Sequence, residues 1–173
     1  MDTIQTILSR ASVRQFSDRP IPRETLNTIL KAGTSGPSCV NAQDWAFIVV
    51  EDKEMLGKMA DANGRPADPL RRAAAGILIC GDLNRSFPPA KDYWVIDGAI
   101  AGQNMVLAAQ SLGIGSVWLG IWPEMDRVEN QSKLFGLPEN IVPHSVLALG
   151  YPADDFRPRT KTEPEGRIHW GEW

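Results

Sequence analysis

Alternating helical patterns and short apolar strands predict an α+β fold: a central β-sheet flanked by helices, with one long helix buried between two copies of the chain. Apolar runs at residues 46–50, 76–80, 116–120 and 145–150 have the length of buried strands. Segments with helical apolar spacing lie before and between them. The longest of these, 92–112, is apolar nearly all round, relieved by Asp97, Gln103, Asn104 and Gln110. Such a helix must be covered on most faces. A chain of 173 residues rarely wraps a central helix alone, which predicts burial against a second subunit.

Residues 3–10 read as the first helix, with Ile4, Ile7 and Leu8 on one face. Pro22 opens a second, whose stripe is Leu26, Ile29 and Leu30, and Gly33 stops it after Lys31. The run 46–50 is a strand and 53–60 a helix. Residues 64–69 are rich in Pro, Gly and Asp and predict a loop. The strand 76–80 precedes the long helix, then the strand 116–120, a helix over 125–135 and the strand 145–150. No repeat or low-complexity linker interrupts this order, so residues 1–173 are expected to form one domain, with 152–173 as a tail on the partner subunit.

Composition sets limits. A hydrophobic content of 43% is enough for one real core. A net charge of −3 argues against nucleic acid or anionic membrane as a general partner. No stretch approaches the roughly 20 apolar residues of a membrane span, and Met1-Asp2-Thr3-Ile4-Gln5 has no signal-peptide core. The two cysteines, Cys39 and Cys80, lack CxxC spacing and a nearby His. That makes structural zinc a poor fit and a reducing cytoplasm a good one. His144 and His169 are isolated and read as solvated or core side chains.

Two segments carry chemistry. In Arg10-Ala11-Ser12-Val13-Arg14-Gln15-Phe16, two guanidiniums flank a hydroxyl, a donor set that matches phosphate oxygens. Alone, the same residues read better as a Ser-capped helix end with solvated arginines. A second basic cluster, Arg157-Pro158-Arg159-Thr160-Lys161, lies near the other end. In Pro37-Ser38-Cys39-Val40-Asn41-Ala42-Gln43-Asp44-Trp45, a loop between helix and strand presents Ser38 and Asn41, suited to the edge of a planar heterocycle. Alone, it is also an ordinary Ser/Asn turn.

Together these segments resemble the nitroreductase family of flavin mononucleotide (FMN) enzymes, which typically begin with Arg-Arg-Ser-x-Arg-x-Phe and later carry Pro-Ser-Ser-x-Asn-x-Gln-Pro-Trp. The resemblance continues through Asp97-Gly98-Ala99-Ile100-Ala101-Gly102-Gln103-Asn104-Met105, Leu112-Gly113-Ile114-Gly115-Ser116-Val117-Trp118-Leu119-Gly120 and Leu149-Gly150-Tyr151-Pro152-Ala153. It implies a nitroreductase-like sheet, FMN as cofactor and a homodimer with two sites at the interface. By the same resemblance, Arg10, Ser12, Arg159 and Lys161 meet the phosphate, and Arg14 lies near the N1/C2 edge of the ring. Pro37, Ser38, Cys39 and Asn41 reach the flavin from the partner, Asn63 holds the pyrimidine ring, and the amides at Leu119 and Gly120 approach N5. Gly113, Gly115 and Gly120 do not form GxGxxG, so a Rossmann site is a poor fit.

The implied reaction is ping-pong: NAD(P)H passes hydride to the flavin and leaves, and a nitroaromatic, quinone or similar acceptor is then reduced in its place. No protein acid or base is required for it. A flavin store or redox sensor without turnover is the alternative. The chain departs from the family pattern at Ala11, where many relatives carry Arg or His, and at Asp44, where they carry Pro. It also lacks the helical excursion that covers the site in longer relatives. Cys39 reads as a small hydrophobe or a redox-active thiol, and Trp94 and Trp122 as candidates for the face where substrate stacks.

Overall fold

Side chains alternate between the two faces of a strand, so strands that are apolar throughout demand a core on each side. In the computed structural model, which describes residues 2–157 and 165–173, the elements are α1 (Thr3–Ser9), α2 (Arg23–Gly33), β1 (Trp45–Val50), α3 (Lys53–Asn63), β2 (Ala75–Asp82), α4 (Tyr93–Ser111), β3 (Gly115–Gly120), α5 (Met125–Phe135) and β4 (Ile141–Gly150). The strands form one antiparallel sheet in the order β1-β2-β4-β3. On one face Leu78, Cys80, Val117, Leu119, Val146 and Ala148 pack with Leu56 and Met59 of α3 and Val128 of α5. On the other, Ile77, Ile79, Leu147 and Leu149 pack with Leu26 and Ile29 of α2 and Met105 and Val106 of α4.

Local chemistry sets the helix ends. Asp2 accepts the Gln5 N–H at 2.9 Å and Asp52 the Met55 N–H at 2.8 Å, each capping a helix start. Gly136, at φ 59°, stops α5 in the left-handed conformation that favours glycine. The expected 64–69 loop is a 3₁₀ turn, Arg65–Arg72, that tucks Ala67 and Leu70 into the core.

The fourth strand starts earlier than its apolar run predicts. Ile79 faces Ser145 and Cys80 faces Pro143, so His144 is the extra residue of a β-bulge. Pro143 is tolerated because β3 has ended by then, its last pair being Gly120 with Ser145. The bulge aims the His144 ring between Trp94 and Trp118, each 5.9 Å away edge-on. Burial lowers the imidazole pKa, opposed by a hydrogen bond with the Val95 backbone. The histidine is therefore a core residue.

Candidate functional site

In the basic segment near the start of the chain, Ser12 does not cap a helix. Helix α1 ends at Ser9, and the Arg10 N–H closes it on the Thr6 carbonyl at 3.2 Å. The chain then runs beside β3: Ser12 forms a parallel bridge with Ser116, and the Val13 N–H donates to the Ser116 carbonyl at 2.9 Å. Val13 is buried against Gly115, where any Cβ would sit 2.8 Å from the valine's. Arg14 is exposed and lines a cavity of about 560 Å³, a size typical of small-molecule and cofactor sites. Phe16 bridges Pro152, and the Ala153 N–H donates to the Gln15 carbonyl at 3.1 Å. The chain after β4 thus returns beside the basic segment. Arg159 and Lys161 lie outside the described residues.

Four of the expected positions, Arg14, Asn63, Leu119 and Gly120, line this one cavity, together with Arg65 and Arg127. Asn63 ends α3 and is 1% exposed. Its Nδ2 donates to the Gly120 carbonyl at 3.2 Å, and Arg127 Nη1 donates to the same oxygen, also at 3.2 Å. The Asn63 Oδ1 has no partner. An orphaned buried acceptor costs about 1–3 kcal/mol, so the site is shaped for a ligand that brings a donor. Gly120 is exposed, with nothing within 4 Å of where a Cβ would stand. A planar ring can therefore come close to the main chain there. Among the described residues, no carboxylate forms an ion pair with Arg14, Arg65 or Arg127, which leaves the cavity strongly positive.

Sequence reasoning missed Arg65 and Arg127. Neither belongs to a motif; one follows Asn63 in the 3₁₀ turn, the other lies on the first turns of α5. Only the fold brings them to the same opening.

Pro37, Ser38, Cys39 and Asn41 do not line this cavity. They sit in a loop whose backbone is held in sparsely populated conformations, with φ of 45° at Val40, 59° at Asn41 and 50° at Gln43. For a β-branched residue such as Val40 this is strain, and strain persists only where the surroundings over-determine it. Ser38 Oγ accepts the Gln43 N–H at 3.0 Å, and both Asp97 oxygens accept the Cys39 N–H, at 3.1 and 3.0 Å. Asp44 turns its side chain inward and accepts from Ser86 Oγ at 2.8 Å. Cys39 is half-buried, and burial pushes the Cys80 thiol up to about 12, which makes it inert as a nucleophile. Trp94 is buried against Gly81 and His144, which removes it from any substrate-stacking face; Trp122 stays at the surface.

Solved structures share this architecture over nearly the whole chain. An FMN-dependent nitroreductase from Clostridium difficile R20291 superposes with a TM-score of 0.89 at 25% identity, covering 98% of this chain and 99% of its own. The NADPH:FMN oxidoreductase of Vibrio harveyi, solved with NAD+, matches at a TM-score of 0.86 and 29% identity over 99% of this chain and 77% of that one. In sequence, a protein of Methanothermobacter thermautotrophicus named "Putative NADH dehydrogenase/NAD(P)H nitroreductase" is 42% identical across all of this chain and 88% of its own length. With the nitroreductase family model matching residues 7–151, this chain belongs to the nitroreductase family.

Proposed function

We propose that this chain is an NAD(P)H-dependent oxidoreductase that holds FMN in the Arg14–Asn63–Gly120 cavity and reduces nitroaromatic, quinone or similar electron-poor acceptors by a ping-pong cycle. The observation that carries the reading is the unpartnered Asn63 Oδ1 beside the open Gly120 backbone. FMN fits it: the pyrimidine ring offers one N–H donor between two carbonyls, and Asn63 offers a buried acceptor. Relatives named FMN reductase and oxygen-insensitive NADPH nitroreductase support the cofactor and the donor.

When bound, FMN supplies the hydride-accepting and electron-donating chemistry, and the protein supplies position and field. Asn63 would accept from the ring imide and, with Arg127, fixes the Gly120 peptide. The fixed charge of Arg14 favours the more negative reduced ring. Arg10, Ser12, Arg159 and Lys161 take the phosphate. Pro37, Ser38, Cys39 and Asn41 complete the site of the partner subunit in a homodimer. The apolar surface of Ile4, Tyr93 and Ile96 supports that assembly, and the exposed Trp170 and Trp173 support a tail that packs on the partner. The free thiols suit a reducing compartment, and we assign the cytoplasm. No helix among the described residues is long and apolar enough to cross a membrane.

The test is a visible spectrum of the purified protein followed by anaerobic NADH or NADPH. Flavin peaks that bleach, and return when a quinone or nitro compound is added, are the expected result. Bound flavin that ignores both donors would favour a store or sensor, and no flavin uptake would sink the reading.

A further inference from the structure

Among the described residues three buried side-chain oxygens lack a partner, on Asn63, Gln131 and Asp44, and the last of these lies next to the strained 38–43 loop. Asp44 is 1% exposed and Asp97 2% exposed. Asp44 Oδ2 takes the Ser86 hydroxyl, but Asp44 Oδ1 has no donor. The Asp97 carboxyl is a near neighbour of Asp44, close enough for the two to perturb each other, and its two oxygens already cap the Cys39 N–H. Two ionised carboxylates in buried contact repel, and neither can donate to the other. One proton carried on Asp97 and donated to Asp44 would supply the missing partner. It also turns repulsion into a charge-assisted hydrogen bond.

We propose that Asp44 and Asp97 are positioning residues: a proton-sharing acid pair that anchors the strained 38–43 loop and so sets its affinity for flavin. The inference rests on the cofactor reading above for what the loop contacts. The loop needs such an anchor, because Val40, Asn41 and Gln43 hold positive φ and relax once the tether at Cys39 is released. Other tethers include the Ser38 hydroxyl on Gln43 N–H, the Arg85 Nε donation to the Gln43 carbonyl at 3.0 Å, and the Asn41 and Ala42 N–H donations to the Ser38 and Cys39 carbonyls.

The charged and titratable groups on the surrounding elements are otherwise engaged or outside. Asp82 on β2 accepts from Asn140 Nδ2 at 2.7 Å, and Arg85 from the next loop holds the Gln43 carbonyl. His144 on β4 faces Ser145 Oγ at 3.0 Å. Lys91, Asp92 and Tyr93 ahead of and on α4 are exposed, and Cys39 is on the loop itself. Among the described residues, the charge that perturbs Asp97 is Asp44. Its carboxyl is raised above the usual range, first by burial and then by that neighbour, while the Cys39 N–H opposes the rise.

The sign follows. A carboxyl raised in the folded protein favours the anchored loop fully below the ordinary carboxylate value, and this contribution fades as pH rises through the raised value. Beyond it, two buried negative charges push the loop from its anchor. The decisive variant is Asp97→Asn. Its amide accepts from Cys39 N–H and donates to Asp44 Oδ1, copying the protonated acid without titrating.

The experiment measures FMN dissociation constants by fluorescence quenching, and amide hydrogen exchange of residues 38–43, across pH for wild type, Asp97→Asn and Asp97→Ala. The wild type should weaken about tenfold on the alkaline side, the scale of one lost buried hydrogen bond, with faster exchange in the loop. Asp97→Asn should hold the tight, slow-exchanging state throughout. Asp97→Ala should be weak and fast at every pH; if it does not fold, Asp44→Asn, which also removes the second charge, should match Asp97→Asn. The second ionisation of the FMN phosphate is common to all variants and cancels. Superimposed profiles for wild type and Asp97→Asn, or Asp97→Asn as weak as Asp97→Ala, would overturn the proposal. Should the wild type take up no FMN at any pH, the cofactor reading falls, and the exchange profiles still decide the acid pair.

Discussion

Asn63 shows how one amide serves two partners. Its donor end helps fix the Gly120 carbonyl and its acceptor end is left for a ligand. Asn63→Ala removes both. FMN affinity should fall about tenfold, as expected for a buried hydrogen bond worth about 1–1.5 kcal/mol, while Arg127 keeps its hold on Gly120. A fluorescence titration checks this, and unchanged affinity would remove Asn63 from the site. At this scale the sequence was legible only where a motif carried the residue. Arg14, Leu119 and Gly120 stand inside recognisable segments and meet in one cavity. Arg65 and Arg127 were invisible, because a guanidinium on a turn and another on a helix look solvated until the sheet brings them together. Asp44 was noticed as a departure from the family pattern. Its inward orientation and its pairing with Asp97 depend on a contact between residues 53 positions apart, which no local pattern encodes.

Among the elements, α4 is the one whose surface the sequence left undecided. Its buried face, Trp94, Gly98, Ala101, Met105 and Ala109, follows helical spacing. The opposite stripe, Tyr93, Ile96, Ala99 and Gln103, is exposed. The small and apolar residues on both sides hide that division from periodicity alone. The glycines of this layer act as sockets for indoles: Gly81 receives Trp94, and Gly102 receives Trp118. Gly102→Ala drives a methyl into a rigid ring packed between α4 and β3, with Ile79 on its other side at 2.9 Å. Overpacking of this kind costs about 1–3 kcal/mol. The expected outcome is a melting temperature lower by several degrees, read by calorimetry, and an unchanged value would show that Trp118 moves aside freely. The strands were legible in their apolar centres and not at their ends. The start of β4 was missed because Pro143 and the bulged His144 break the apolar run, and both are permitted only where β3 no longer flanks the strand.

For the whole molecule, the exposed stripe of α4 and the incomplete site argue for the same assembly. Sedimentation at micromolar concentration should give twice the 19.0 kDa chain mass. Ile96→Lys, which puts a charge on a residue 51% exposed in the single chain, should shift the protein toward monomer without lowering its helix content. If the 38–41 loop serves the partner's cavity, that variant also loses FMN affinity as it dissociates. A persistent dimer in Ile96→Lys would place the interface elsewhere.

The strand order has a consequence for how the polypeptide is made. The last strand in sequence, β4, lies between β2 and β3, and among the described residues the other backbone partner of β3 is the short Ser12–Val13 segment. While the ribosome is still adding residues up to 141, β2 can pair along one side only, and β3 has no strand to pair with beyond the single bridge to Ser12. Sheet closure must wait for the final strand to slot into the middle. During synthesis the nascent chain therefore carries two apolar, unpaired edges at once, Ile77–Ile79 and Val117–Leu119. That interval, rather than the finished fold, is when this protein most needs a chaperone.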